Sequence, residues 1–259
     1  MKLTGNTILV TGGGSGIGRA LAEEFAARGN RVVIAGRRRE ALDAVVYSRH
    51  GVESAALDID RAAEIAPFVK ELIVRRPTLN VVIHCAGIMR YERVTKAGFS
   101  TEAAEATIAT NLLGVIRLTT ALLPHFLSRP EATIVTVSSG LAFVPLAMTP
   151  TYCATKAAVH SYSQSLRYQL KDTNVRVLEI APPYVQSELM GARQASDPVA
   201  MPLKDFIAQT MTILEADPNA TEVLVERVKP HRFAEARGEY NAFFNAYNAQ
   251  RMAERANEW

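Results

Sequence analysis

Six short apolar runs alternate with longer amphipathic stretches along the chain as far as Ile180. The runs are continuously apolar rather than alternating between apolar and polar positions, and this pattern is typical of strands covered on both faces in a parallel sheet. After the first run, Ile17, Leu21 and Phe25 recur every fourth residue and Gly29 follows them, which predicts a helix and its end. The predicted strands cover residues 7–11, 31–35, 54–58, 80–84, 133–137 and 175–180.

The later amphipathic stretches predict helices at residues 39–48, 61–76, 101–127 and 151–171. A strand–helix unit repeated six times predicts the α/β class, with a doubly wound parallel sheet of the Rossmann type. Right-handed crossovers then bring the loops that follow the strands to one edge of the sheet. We expect a single domain over residues 1–259, with its core at about 5–190.

The pattern changes after Pro182 and Pro183. Glycine, serine and proline in residues 188–203 predict a mobile loop, which we expect to line the substrate pocket. Helices are predicted to follow at about 203–215, 219–228 and 233–257. The last of them carries aromatic residues at helical spacing, and we interpret this stripe as packing or interface rather than a ligand site.

Composition places the chain among ordinary globular proteins, with 48% hydrophobic and 21% charged residues and a net charge of +3. Because the basic residues are spread along the chain, we expect no nucleic-acid partner. Cys85 and Cys153 form no CxxC pair and the N-terminus shows no signal peptide, so free thiols in the cytoplasm are expected. The apolar stretch 112–127 is interrupted by Arg117 and Pro124, and we expect no membrane partner.

A glycine-rich loop joins the first predicted strand to the first helix. Glycines allow backbone amides to approach phosphate oxygens, and the helix N-terminus that follows favours an anion. The dinucleotide pattern G-x-G-x-x-G fails because Ile17 takes its last place, whereas Thr11, Gly12, Gly16 and Gly18 fit T-G-x-x-x-G-x-G. In this pattern the sequence resembles the short-chain dehydrogenase/reductase family.

The end of the second predicted strand bears on the choice of nicotinamide cofactor. A carboxylate there would hold the ribose hydroxyls of NAD, but the chain has Arg37, Arg38 and Arg39 before its first acid, Glu40. Arginine suits a ribose 2′-phosphate, so the sequence favours NADP(H) over NAD(H), although a solvated run of charges remains the alternative. By resemblance, Asp58 holds the adenine amino group; a helix cap before Arg61 is its other interpretation.

The resemblance assigns a catalytic tetrad of Asn111, Ser139, Tyr152 and Lys156. Tyr152 and Lys156 are four residues apart on one predicted helix and therefore share a face. The Lys156 ammonium is expected to bring the pKa of the phenol down toward the working range. Ser139 lies thirteen positions before Tyr152, where the family has its catalytic serine. Asn111 lies within a long predicted helix, where asparagine is a poor helix former, and the resemblance implies that it disturbs the helix and holds a water linked to the lysine.

Three segments depart from the family. His84 and Cys85 stand where the family usually has two asparagines, and a metal or nucleophile role for them is disfavoured because no further ligands are apparent. Pro183 replaces the usual glycine after the sixth strand, which stiffens the loop at the nicotinamide and resembles the DltE-type oxidoreductase branch. A seventh strand, common in the family, is not expected because residues 219–259 have a helical pattern throughout.

Together, motif and resemblance define the expected sites. The expected cofactor-binding residues are Gly12, Ser15, Gly16, Ile17, Gly18, Arg37, Arg38, Asp58, Ile59, Cys85, Ala86, Gly87, Tyr152, Lys156, Val185 and Ser187. The expected substrate contacts are Ser139, Leu141, Tyr152 and Tyr184, with Met89, Phe143, Val144, Met148 and the loop 188–201 lining the pocket. No metal is expected.

The resemblance implies an oxidoreductase that transfers a hydride between NADP(H) and a carbonyl or secondary alcohol, with Tyr152 as general acid and base. The expected partner is a second copy, bound through the long helices 101–127 and 151–171. Two alternatives remain: a cofactor-binding sensor or scaffold without turnover, and a nucleotide-sugar epimerase on a related fold. The first is disfavoured by the intact Tyr152 and Lys156, and the second by the length of the chain.

Overall fold

A computed structural model describes residues 1–48 and 50–255 of the chain. Its strands are β1 Thr7–Thr11, β2 Arg31–Gly36, β3 Val52–Ala56, β4 Leu79–His84, β5 Ala132–Val137, β6 Val175–Ile180 and β7 Glu222–Val223. They form one parallel sheet in the order β3-β2-β1-β4-β5-β6-β7. The order reverses between β1 and β4, and doubly wound sheets bind ligands in the crevice that opens at such a point.

Helices cover both faces of the sheet. They are α1 Gly16–Ala27, α2 Arg39–Ser48, α3 Ala62–Arg75, α4 Glu102–Ile108, α5 Gly114–Leu127, α6 Pro150–Gln169, α7 Ala192–Ser196, α8 Leu203–Ala216, α9 Lys229–Phe233 and α10 Tyr240–Glu254. A single π-helical turn, Ala109–Leu113, joins α4 to α5. The predicted doubly wound α/β fold is confirmed, and its predicted strands and first helices differ from the observed ones by a few residues at most.

The central strand β1 shows why its sequence is apolar throughout. Ile8 and Val10 point to one face and contribute to a core that includes Phe206 of α8, whereas Leu9 points to the other face and a core that includes Phe126 of α5. Successive residues of a strand face opposite sides, so a sheet covered by helices on both sides needs apolar side chains at every position.

The C-terminal part differs from the prediction. Residues 219–228 form no α-helix: β7 lies there, followed by a 3-10 turn at Glu226–Val228, and Val223 pairs with Ile180 of β6, so the expectation that a seventh strand is missing was wrong. The predicted helix 233–257 corresponds to α10 alone, which begins only at Tyr240: α9 ends at Phe233, Gly238 lies between the two helices in the left-handed region at φ 71°, and residues 256–257 lie outside the described part. The predicted loop 188–203 contains α7 and a β-bridge between Met201 and Val185.

The continuous helical segment Glu102–Leu127 is long and apolar enough to cross a membrane by length and composition alone. Arg117 and Pro124, which interrupt the apolar stretch, therefore do not by themselves exclude a membrane-spanning helix. Packing explains the composition better, because Leu118, Leu122 and Phe126 of α5 are buried in the core formed with α3 and the sheet.

Replacement of Phe206 by alanine is expected to lower the free energy of unfolding by about 3–5 kcal/mol, since the ring is fully buried and a cavity would remain. Chemical denaturation followed by circular dichroism would measure this. Val74→Ala is the control, because Val74 is 76% exposed and its truncation should change stability by no more than about 0.5 kcal/mol. Equal effects of the two substitutions would contradict the assignment of α8 to the core.

Candidate active site

Two adjoining cavities open at the carboxyl ends of the strands. The larger has a volume of about 360 Å³ and is lined by the glycine-rich loop, the ends of β2 and β4, and the loop after β6. The smaller has a volume of about 240 Å³ and extends toward α9 and α10. Ser139 and Tyr152 line both cavities, so they lie where the two meet.

The glycine-rich loop is shaped by close backbone contacts. Gly12 has φ 69°, and a Cβ atom added to it would lie 2.8 Å from the backbone of Ala86, in the loop after β4. A Cβ at Gly18 would lie 2.4 Å from the carbonyl oxygen of Gly12. Only glycine fits at either position, because any side chain would collide with the backbone. The N-terminus of the 12-residue helix α1 opens directly into the larger cavity. These features fit the pyrophosphate of a dinucleotide.

The arginines after β2 line the larger cavity beside this loop. Arg38 donates a hydrogen bond of 2.9 Å to the hydroxyl of Ser15, which precedes α1. Arg37 forms an ion pair of 3.1 Å with Asp60. The structure thus brings Ser15 and Arg38 together at the rim of the cavity, as a phosphate site requires.

Asp58 lies after β3, between two residues that line the larger cavity, Leu57 and Ile59, but is not itself among its lining residues. Its carboxylate accepts a hydrogen bond from the backbone N–H of Asp60 and pairs with Arg61 at 3.4 Å. Both bonds lie before α3, whose N-cap is Arg61, so they form a local turn and not the helix cap that was the other interpretation of Asp58; a contact to adenine stays a prediction.

Helix α6 places Tyr152 and Lys156 on the wall of the larger cavity, each only 6% exposed. The Lys156 ammonium donates a hydrogen bond of 2.7 Å to the carbonyl of Val137 at the end of β5 and lies 5.6 Å from the centre of the Tyr152 ring. The side chain of Ser139 acts on the Tyr152 phenol and lowers its pKa against the effect of burial. Ser139 in turn accepts a bond of 3.1 Å from the backbone N–H of Leu141, which fixes its position.

Asn111 lies in the π-helical turn, and its side chain is bonded on three sides. Its Oδ1 accepts from the N–H of Ile88 at 2.8 Å, and its Nδ2 donates to the carbonyl of Ile88 at 2.9 Å and to the Thr155 hydroxyl at 3.2 Å. A Cβ at Gly87 would lie 3.4 Å from Asn111 Oδ1 and 3.8 Å from Lys156 Nζ, so the three residues border one small space. The tetrad predicted from the sequence is brought together.

The electrostatics of the site differ from the sequence expectation. Burial raises the pKa of Tyr152 well above its ordinary value, and the hydrogen bond with Ser139 opposes this only in part. Burial also lowers the pKa of Lys156 to about 8. Desolvation, and not the Lys156 ammonium, therefore dominates the pKa of the phenol, so the expected lowering is not found and the protonated phenol is the resting form.

The loop after β4 is fixed through Thr11 rather than through the side chains at 84 and 85. The Thr11 hydroxyl accepts hydrogen bonds from the N–H groups of Cys85 and Ala86, both at 3.2 Å. His84 is buried against Thr119, and desolvation lowers its pKa to about 3. Burial raises the pKa of Cys85 to about 11, so this thiol is protonated near pH 7 and does not suit a nucleophile.

The loop after β6 closes one side of both cavities. Val185 pairs with Met201, and the buried Gln194 donates hydrogen bonds to the carbonyl of Val185 at 2.9 Å and to the hydroxyl of Ser187 at 3.1 Å. Tyr184 donates a bond of 2.9 Å to Asp197. This segment is therefore internally bonded, and Val185 and Ser187 line the larger cavity as predicted.

The smaller cavity is lined by Leu141, Met89, Met148 and Tyr184, as the sequence predicts, but two predicted residues are wrong. Phe143 turns away from the cavity and packs against the His160 ring at 4.9 Å and the Arg232 guanidinium at 5.0 Å. Val144 is completely buried in the protein interior.

Sequence reasoning missed the residues that α9 and α10 contribute to the cavity. The aromatic spacing of this region predicts packing, but residues of α9 and α10 also line the cavity. The missed residues are His231, Tyr247, Arg251 and Arg255. The available signal was the i, i+4 spacing of Tyr247, Arg251 and Arg255 on one face of the helix.

A group of potential metal ligands, His160, Glu179 and Glu222, lies behind the active site with its ligand atoms within 4.8 Å of one another. His160 bonds the almost completely buried Glu179 at 2.8 Å, and Arg232 bonds both carboxylate oxygens of Glu222. These pairings account for the group as an ion-pair network, and the negative charge of Glu179 raises the pKa of Lys156 against the effect of burial.

The family profile described as short chain dehydrogenase matches residues 6–198. An uncharacterized oxidoreductase, DltE, from Bacillus subtilis strain 168 is 34% identical over 253 residues, covering 96% of this chain and 99% of its own.

Two solved structures have the same fold. A short chain dehydrogenase from Burkholderia cenocepacia in complex with NADP has a TM-score of 0.79 at 24% identity, covering 94% of this chain and 99% of its own. A short chain dehydrogenase/reductase from Burkholderia phymatum in complex with NAD has a TM-score of 0.78 at 19% identity, covering 92% and 93%. The chain therefore belongs to the short-chain dehydrogenase/reductase family, as a DltE-like oxidoreductase.

Proposed function

We propose that the protein is an NADP(H)-dependent oxidoreductase that interconverts a carbonyl compound and a secondary alcohol. One observation carries the proposal: Tyr152 and Ser139 line both cavities and so stand at the junction of the one bordered by the glycine-rich loop and the one with the mainly apolar wall. A proton donor at this junction can serve a substrate in the smaller cavity while the larger one holds the cofactor. When bound, the nicotinamide supplies or accepts the hydride.

In the reductive direction, side chains of the protein donate the proton and stabilise the negative charge that develops on the carbonyl oxygen. Ser139 and Tyr152 direct their hydroxyls at the carbonyl oxygen, and Tyr152 donates its proton as negative charge develops there. The raised pKa of Tyr152 keeps this proton on the phenol, ready for transfer. Lys156, held by the Val137 carbonyl, places a positive charge beneath the ring and stabilises the phenolate that remains.

The preference for NADP(H) over NAD(H) is supported by the pairing of Arg38 with Ser15 at the rim of the larger cavity. A guanidinium and a hydroxyl at this distance from each other can bind the same phosphate group. Both kinds of cofactor occur among proteins of the same fold, so the argument rests on these two side chains.

A sensor or scaffold function remains the second candidate, and the complete set of Asn111, Ser139, Tyr152 and Lys156 favours the enzyme. A homodimer in the cytoplasm, formed through α4, α5 and α6, stays a prediction. It is supported by the partly exposed side chains of Ile108 and Leu113, which lie on the surface of this helical layer.

Replacing Tyr152 by phenylalanine should lower kcat for ketone reduction at least about a hundredfold, because the proton donor is lost. NADPH oxidation, followed by absorbance with a panel of ketones and aldehydes, measures this. The dissociation constant for NADPH should stay near the wild-type value.

Tyr168→Phe is the matched control for this substitution, since Tyr168 lies on the same helix but is 71% exposed. It should retain wild-type turnover. Wild-type protein that binds NADPH but reduces no compound of the panel would favour the sensor, and full activity of Tyr152→Phe would refute the assigned proton donor.

The rate of reduction should depend on the charge of Lys156. Its pKa lies near 8, so the ammonium is present below this pH and is lost as the pH rises through it. We therefore expect kcat/KM for ketone reduction to decline above pH 8. Stopped-flow measurement over the alkaline range tests this, and a profile that stays flat well above pH 8 would contradict it.

Arg38→Ala is expected to raise the dissociation constant for NADPH about ten- to a hundredfold, because a charge-assisted bond to phosphate is lost, and to leave that for NADH nearly unchanged. Fluorescence titration with both cofactors measures the two constants. Arg39→Ala serves as the control because this side chain is 84% exposed and faces Asp43. An equal loss for both cofactors would mean that Arg38 does not read the 2′-phosphate.

A further inference from the structure

Glu179 is a buried carboxylate on β6 that the proposed proton transfer does not use. Its neighbour in register on β5 is Thr136, and the next pair along these two strands is Val137 and Ile180. The carbonyl of Val137 holds the Lys156 ammonium. Glu179 therefore lies one register position from the anchor of the catalytic lysine.

Helix α6 covers the face of the sheet to which Glu179 points. The Thr136 hydroxyl is bonded at 2.7 Å to the hydroxyl of Ser163 on α6, and Glu179 is bonded to His160 of the same helix. Lys156 and His160 are four residues apart, so they lie on one side of α6, one turn from each other. The carboxylate and the ammonium are thus both enclosed between α6 and the strands β5 and β6.

The bond from His160 fixes the position of the carboxylate. Nδ1 of its ring lies 2.8 Å from one oxygen of Glu179 and 3.0 Å from the other. An ionised carboxylate can only accept hydrogen bonds, so Nδ1 carries the proton that is shared here. A neutral imidazole can donate in this way without cancelling the negative charge of the carboxylate.

Two arginines and a second carboxylate lie around this pair, and each has its own partner. Arg232 of α9 bonds both oxygens of Glu222 on β7, at 3.0 and 3.2 Å. Arg167 of α6 donates to two backbone carbonyls of the neighbouring strand and loop. These bonds leave the oxygens of Glu179 to His160.

Lys156 needs a negative charge nearby because its surroundings oppose its own charge. Burial lowers the pKa of Lys156 to about 8, while Cys85 and Glu179 raise it. The Cys85 thiol has a pKa of about 11 and is protonated near pH 7, and burial keeps the phenol of Tyr152 protonated as well. Of these neighbours, Glu179 is therefore the one that supplies a full negative charge.

Stability alone does not explain a carboxylate at this position. Val175 and Val177, which precede Glu179 on the same strand, are buried in an apolar core, and Val177 points to the same face as Glu179. Desolvating a carboxylate is costly, and replacing a buried ionic group by apolar side chains often leaves a protein as stable or makes it more stable. A role of the charge in the neighbouring site explains Glu179 better.

We propose that Glu179, held by His160, is a positioning residue of the reaction: its negative charge keeps Lys156 in the ammonium form that stabilises the Tyr152 phenolate. This inference rests on the proposed function, because it gives Glu179 a part in the same proton transfer. Glu179 lines neither cavity, so it acts on Tyr152 through Lys156 and touches no reacting atom.

Glu179→Gln removes the charge but keeps an oxygen that can accept from His160. Lys156 should then lose its proton at lower pH, because the opposite charge that favours the ammonium is gone. We expect the alkaline decline of kcat/KM for ketone reduction with NADPH to begin about half a pH unit to one pH unit below that of the wild type. On the acid side of this decline, where Lys156 is charged in both proteins, kcat/KM should differ little.

Glu92→Gln is the matched control. Glu92 is also a buried carboxylate bonded to α6, since it accepts hydrogen bonds from the N–H and the hydroxyl of Thr151 at 3.0 and 2.7 Å. It is not among the groups that shift the pKa of Lys156. The decline should therefore stay at the wild-type pH in this variant.

His160 offers a second pair of variants that keeps the test open if Glu179→Gln fails to fold, because its side chain is 17% exposed. His160→Phe removes the donor, so the buried carboxylate takes up a proton more readily and the decline should again move to lower pH. His160→Asn keeps an N–H donor near the position of Nδ1 and should restore the wild-type profile.

NMR on the protein without cofactor provides a readout that does not depend on turnover. When the lysines are labelled with carbon-13 at Cε, the signal missing from Lys156→Met identifies Lys156, and its chemical shift follows the titration of the ammonium. The midpoint should be lower in Glu179→Gln than in the wild type, by the same amount as the kinetic decline.

An unchanged midpoint would overturn the role of Glu179 and leave the reductase intact, as would a Glu179→Gln variant that lowers kcat/KM equally at every pH. A lowered midpoint in a protein that reduces no compound of the panel would refute the proposed function, whereas it would support the effect of Glu179 on the charge of Lys156. The two failures are therefore distinguishable.

Discussion

The hydrogen bond between the buried Lys156 ammonium and the Val137 carbonyl joins the helix that carries Tyr152 to a central strand of the sheet. An ammonium without a partner would be costly at this depth, so helix α6 can occupy only a position that keeps this bond. The same contact sets the height of Tyr152 above the strand ends and hence its distance to Ser139, at the end of β5. Through Asn111 and Gly87, the loop after β4 is fixed to the same point.

Much of this arrangement could be predicted from the sequence. The strands on both sides of the switch point are buried on two faces, so their apolar runs are unambiguous. The spacing of Thr11, Gly12, Gly16 and Gly18 in the glycine-rich loop is likewise specific to this kind of site. The four residues of the predicted tetrad come together because each lies at the end of a strand or in a long helical segment. In such elements, position along the chain determines position in space.

Other features depend on contacts that no local pattern contains. The strand β7 has two residues, too few for any periodicity, and exists because Val223 fits beside β6. Phe143 turns away from the cavity because His160 and Arg232, distant in sequence, offer it a better contact. The pKa of Tyr152 depends on how deeply its ring is buried. The sequence shows which residues are near Tyr152 along the chain, but not how deeply the ring is buried. The C-terminal helix shows the same limit, because Asn248 places it over the site by donating a hydrogen bond to the Pro145 carbonyl and accepting one from the Ala147 N–H.

The π-helical turn at Ala109–Leu113 has a consequence for how this family member can vary. Such a turn contains one residue more than the α-helical turn it replaces. Removing a single residue here would restore regular α-helix and rotate α4 by about 100° relative to α5. The apolar face of one of the two helices would then point to solvent, and Asn111 would leave Ile88 and Thr155. Single-residue deletions in this segment should therefore be rejected, while the exposed loop before α4 can change in length without disturbing either helix.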